Sequence, residues 1–162
     1  MKIIFQVKSL LCIFIGSLII IYSFKEYGIL LNLYYIKNDN INSGNFTVGD
    51  ALALSKYSYY IRLFLLSGGV VALILSIVLS SLKKINWINV FTPFILLIML
   101  AFLGFFRISN LSEFFSLFIG IFSFLPQKLM YLTGGTVLLL IGILILFKAA
   151  PTKKLNNDNS AG

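Results

Sequence analysis

Four runs of about twenty apolar residues decide what this chain can become. They cover residues 5–24, 63–82, 88–106 and 129–147, and no charged side chain lies near the middle of any of them. As a helix, each run is ~30 Å long at ~1.5 Å per residue, which matches the hydrocarbon core of a bilayer. A soluble domain of 162 residues could not bury the 59% of its residues that are hydrophobic, because too much of a small domain is surface. The expectation is an all-α integral membrane protein: a four-helix transmembrane bundle forming a single domain over residues 1–150.

The remaining segments differ in character. Residues 83–87 make a tight turn, and residues 25–62 form one long polar outer loop whose middle, NDNINSGNFTVGD, is rich in turn formers. Thr47-Val-Gly-Asp50 and Asn110-Leu-Ser-Glu113 have capping-box spacing, so each is expected to start a helix outside the membrane. Residues 151–162 read as a disordered cytoplasmic tail.

The stretch LSEFFSLFIGIFSFLPQK, residues 111–128, is the ambiguous one. From Leu111 to Leu125 a helix is ~22 Å long, short of a bilayer. Glu113, Ser116, Gly120, Ser123 and Gln127 recur at steps of three and four, giving a narrow polar stripe on an otherwise apolar helix. Residues 111–125 are therefore expected to form an amphipathic helix at the outer interface. The alternative is a fifth span.

Charge decides between the two. With four spans, Lys2, Lys8, Lys83, Lys84, Lys148, Lys153 and Lys154 share one side. Lys25, Lys37, Lys56, Arg62, Arg107 and Lys128 are spread over longer loops on the other. A fifth span would move the tail across and reverse the bias. Positive charge gathers on the cytoplasmic side, so four spans with both termini cytoplasmic is the expected topology. The abundance of Ile, Lys and Asn points to an AT-rich genome and hence to a bacterial plasma (inner) membrane. The eight tyrosines fall near the outer ends of the runs and Trp87 at the inner boundary, as an aromatic belt would have it. Within it, Tyr57, Tyr59 and Tyr60 are a candidate outer patch for a lipid, peptide or partner.

Small residues mark where membrane helices approach one another. Ser67-Gly68-Gly69 and Thr133-Gly134-Gly135 stand at equal depth in the second and fourth runs and are the candidate packing or binding sites. The two halves align without a gap here, which suggests a parallel duplication. Gly69, Ala72, Ser76 and Ser80 form one small stripe; Ser9, Cys12 and Gly16 form another.

Chemistry is sparse. The chain has no histidine and one cysteine, so the commonest metal ligand and general base are missing and no internal disulfide can form. Glu26, Asp39, Asp50 and Glu113 are assigned to loops or to the outer boundary, which leaves an uncharged core. No catalytic, cofactor or metal site is expected. The net charge of +8 is dispersed at the ends of the runs, without the basic face that nucleic-acid binding needs. The expected partners are the lipid bilayer and another membrane protein. The expected role is non-catalytic: an accessory subunit, an assembly factor or a binding protein of the immunity type. A channel or transporter for a neutral or lipophilic small molecule is the alternative.

Overall fold

The computed structural model describes residues 7–35, 48–102 and 109–149, and every element in them is helical. The helices are α1 (Val7–Tyr35), α2 (Val48–Lys83), α3 (Trp87–Phe102), α4 (Ser109–Gly120) and α5 (Gln127–Phe147). Three of them are long and apolar enough to cross a membrane, over Val7–Leu33, Ser58–Lys83 and Gln127–Phe147. At 16 residues, α3 is a shorter apolar helix of ~24 Å.

Two boundaries differ from expectation. Residues 25–35 and 48–62, assigned above to the outer loop, are helical and continue α1 and α2 without a break. Lys25-Glu26 reads as a stop, but apolar residues resume directly after it. Asn32 keeps the extension helical by donating from Nδ2 to the Gly28 carbonyl one turn back, at 2.9 Å. The helix expected over 111–125 ends at Gly120. From there the chain descends in tight turns, with Ile121, Phe122, Ser123 and Leu125 each bonding three residues back. Its 12 residues, ~18 Å, cannot cross a bilayer. The middle of the outer loop, the end of the third run and the tail from Pro151 lie outside the described residues.

The hub is α1. It packs most extensively on α5 and α2, then on α3, while α4 lies against α5. Gly16 meets Gly142, and Ser23 meets Gly135, so α1 and α5 are antiparallel. Gly68 meets Ile21 and Phe24, while Gly28 meets Ile61 and Phe64, so α1 and α2 are antiparallel too. The ends of α2 and α5 therefore lie side by side. Lys83 joins them, its Nζ donating to the carbonyls of Phe147 and, at 3.3 Å, of Ala149. An ammonium there satisfies two carbonyls that the helix end leaves bare and suits the negative end of the α5 dipole.

The turn after α2 is built by its own sequence. Ile85 N bonds the Ser80 carbonyl five residues back, and Lys84 takes a left-handed φ of 52°. This is a Schellman cap with a lysine where glycine is usual. The buried Ile85 supplies its hydrophobic contact, and Ser80 Oγ donates to the Ile85 carbonyl. Asn86 then caps α3 by accepting from Ile88 N.

Side chains are sorted by size more than by polarity. On α2, Gly68, Ala72, Ser76 and Ser80 face inward at steps of four, while Leu66, Val70, Ile74, Val78 and Leu82 face outward at the same step. On α5, Gly135, Leu138, Gly142 and Leu146 are buried and Leu132, Leu140 and Leu144 are exposed. Water would not tolerate so much contiguous exposed hydrocarbon, but lipid does. Hydroxyls on the exposed faces fold back onto their own helices: Ser67 donates to Leu63, Thr92 to Ile88 and Thr133 to Leu129.

Candidate functional site

Besides the Lys83 contact, two side-chain hydrogen bonds between helices lie on one seam, between α1 and the first half of α5. Ser23 Oγ donates to the Gly135 carbonyl at 2.8 Å in a buried contact. The Tyr27 hydroxyl and Thr136 Oγ1 are 3.0 Å apart. Thr136 already donates to the Leu132 carbonyl at 2.7 Å, so the tyrosine is the donor between them. In membrane helices such bonds contribute about 0.6 kcal/mol each on average, so their main effect is to fix register.

Glu26 lies in the same seam. It is 3% exposed, and its Cβ stands 3.5 Å from where a Cβ on Gly135 would be. The Gly16–Gly142 and Ser23–Gly135 contacts set the register, which places Glu26 level with Leu132, about five residues or ~7.5 Å inside the start of α5. The expectation of an uncharged core is thus corrected. Lys25-Glu26, after an apolar run that ends at Phe24, reads as the outer boundary, whereas α1 continues past it to Tyr35. The signal was present: GILLNLYY, residues 28–35, resumes the apolar run after Glu26.

Ser23 and Tyr27 of α1 meet Gly135 together with Glu26. One turn earlier, Tyr22 is fully buried and stacked on Phe115 of α4, with centroids 4.3 Å apart and planes 14° from parallel. It is a packed core residue rather than part of an aromatic belt. Lys25 Nζ lies 5.6 Å from the centroid of the Tyr22 ring. Ile119 of α4 presses on Gly134, where a Cβ would come within 2.6 Å of it. The Gly134-Gly135 pair therefore serves two neighbours. One glycine admits α4 and the next, 100° round the helix, admits Ser23, Glu26 and Tyr27 of α1.

The other Gly-Gly pair is used differently. Gly68 is in tight contact with α1, where a Cβ would stand 2.9 Å from Phe24 Cβ and 3.0 Å from Ile21 Cα. Around Gly69 there is nothing within 4 Å. Ser67 and Thr133 spend their hydroxyls on their own helices. The six residues are therefore not brought together: Ser67-Gly68-Gly69 and Thr133-Gly134-Gly135 lie on separate faces of the α1 hub. Of the tyrosine patch, Tyr59 is exposed and Tyr60 half-buried, with ring centroids 5.9 Å apart, edge to face. The Tyr57 side chain lies outside the described residues.

Among the described residues no three His, Cys, Asp or Glu side chains come together as a metal ion would require. Scans against models of known protein families, curated proteins and solved structures find no match to this chain.

Proposed function

We propose that this chain is a multi-pass membrane protein of four spans that works by binding a partner in the membrane, as an accessory subunit, an assembly factor or an immunity-type binding protein, rather than by catalysis. The observation that carries this reading is the closed interior. At Gly16 and Gly142 the α1 and α5 backbones are in contact, and at Gly68 the same holds for α1 and α2. Many other large apolar side chains, among them Leu66, Val70, Ile74 and Leu144, are turned outward, where only lipid or another helix can cover them. A partner is expected on α3, whose Ile95, Ile98, Met99 and Phe102 are all exposed.

The helix directions support four spans. Because α2 and α5 finish at the same end, the chain between Lys83 and Gln127 must climb the length of the bundle. The apolar α3, ~24 Å long, is the element that makes most of that climb. The lysine-rich end, with Lys8, Lys83, Lys84 and Lys148, is then cytoplasmic, and α4 lies at the opposite surface. Cysteine labelling tests this in a Cys12→Ser background. An impermeant maleimide added outside cells is expected to modify Asn45→Cys and to miss Asn157→Cys until the membrane is opened. Labelling of Asn157→Cys in intact cells would overturn the four-span topology.

For the role itself, the decisive measurement is quantitative mass spectrometry of the protein extracted from its native membrane in mild detergent. A second membrane protein in fixed stoichiometry is the expected result. Recovery of the chain alone with a retained small molecule would replace this reading with the second one, a channel or transporter for a neutral or lipophilic species. One observation favours that second reading: a carboxyl group at membrane depth beside Gly134-Gly135.

A further inference from the structure

We infer that Glu26 is a proton-binding site of the membrane-embedded bundle, in the seam between α1 and α5. This rests on the membrane reading above and adds an occupant for the one buried acidic group among the described residues. Glu26 is 3% exposed, and its Cβ stands in the α1–α5 seam beside Gly135. An ionised carboxylate buried at that depth is among the most costly groups a fold can hold, and one proton removes the charge.

The surroundings favour a proton over a larger cation. A metal ion needs several oxygen ligands. Ser23 and the Gly135 carbonyl are already engaged with each other, as are Tyr27 and Thr136. No cluster of three acidic or imidazole ligands exists among the described residues. The titratable and charged groups around the site are few. On α1 they are Tyr22, Lys25 and Tyr27. On α5 they are Lys128, exposed at the helix start, and Tyr131. On α4 there is Glu113, which is exposed. The α2 helix packs on α1 through Gly28, Phe24 and Ile21. Its nearest charge to that contact is the exposed Arg62.

A lipophilic carbodiimide reads out such a group. The carboxyl oxygen bonds to the central carbon of dicyclohexylcarbodiimide as its proton passes to a ring-bearing nitrogen. The acyl group then migrates to nitrogen and leaves a stable N-acylurea. The reaction needs the protonated acid and access from lipid. The experiment uses the full chain in phosphatidylcholine vesicles, with peptide mass spectrometry across a pH series. The expected result is an adduct on Glu26 that declines as the pH is raised, while a water-soluble carbodiimide modifies Glu113 and spares Glu26. The adduct is lost in Glu26→Gln; if that variant does not fold, the wild-type pH series decides alone. No Glu26 adduct at any pH overturns the inference, as does equal modification by both reagents, which would mark Glu26 as wetted. Either failure leaves the cysteine-labelling test of topology standing on its own.

Discussion

Gly142→Leu is expected to be among the most damaging single substitutions in this chain. A Cβ at Gly142 would stand 2.7 Å from Ile20 Cγ1, 3.0 Å from the Gly16 carbonyl oxygen and 3.2 Å from the Ile20 nitrogen. Two of those three atoms are backbone and cannot rotate aside. Overpacking a core typically costs about 1–3 kcal/mol when neighbouring side chains yield. Here α1 and α5 must separate, so a loss of at least about 3 kcal/mol is expected. In lipid no hydrophobic driving force compensates for lost helix contact. Gly16→Leu meets the Gly142 carbonyl at 2.9 Å and should fail in the same way, and the two losses should not add, because one contact is removed twice. Gly69→Ala is the control. It has open space around it, so it should be neutral or gain up to about 1 kcal/mol from helix propensity. Thermal unfolding of the three variants in one detergent makes the comparison. If Gly142→Leu melts with the wild type, α1 and α5 do not touch as described.

The contrast between Gly69 and Gly142 also shows what the sequence discloses and what it withholds. Helical runs and their approximate depth follow from hydropathy, because lipid demands about twenty apolar residues whatever the neighbours are. Which glycine of a pair touches a neighbour depends on helix rotation. Adjacent residues differ by 100°, so Gly68 meets α1 while Gly69 faces open space. The small stripe on α2 was read from Gly69, and the buried series starts one residue earlier.

The same limit explains Glu26. A charged residue at the end of an apolar run reads as the edge of the membrane. Only the packing of α5 against Ser23, Glu26 and Tyr27 shows that this one lies inside. Tyr22 is the counterpart, an aromatic residue with belt-like spacing that α4 covers completely. The duplication suggested by the two Gly-Gly pairs also fails to appear in the roles of the helices. Gly134 meets Ile119 of α4, whereas Gly68 meets Ile21 and Phe24 of α1.

A lysine scan along α4 should give three distinct results, because the helix presents three faces. Phe115 and Ile119 are buried against α1 and α5. Glu113, Ser116 and Gly120 form the exposed polar stripe. Phe114 and Leu117 lie between these faces and are also exposed, Leu117 at 74%. A helix lying at the membrane surface needs this division: one face on the protein, one on water and headgroups, and one on acyl chains. Ser116→Lys should be nearly silent, since its side chain already points to the polar side and a lysine can snorkel. Phe115→Lys should be severe, about 3 kcal/mol or more, because it removes a buried ring stacked on Tyr22 and leaves an unpaired ammonium beside it. Leu117→Lys is the informative one. A lysine among acyl chains costs about 2–3 kcal/mol near the bilayer centre and less toward the interface, so an intermediate loss is expected. Melting temperature and membrane yield of the three variants give the order. If Leu117→Lys is as mild as Ser116→Lys, the third face of α4 meets water and the helix stands clear of the membrane. If it is as damaging as Phe115→Lys, that face is covered by protein, and the partner proposed for α3 would have to extend over α4 as well.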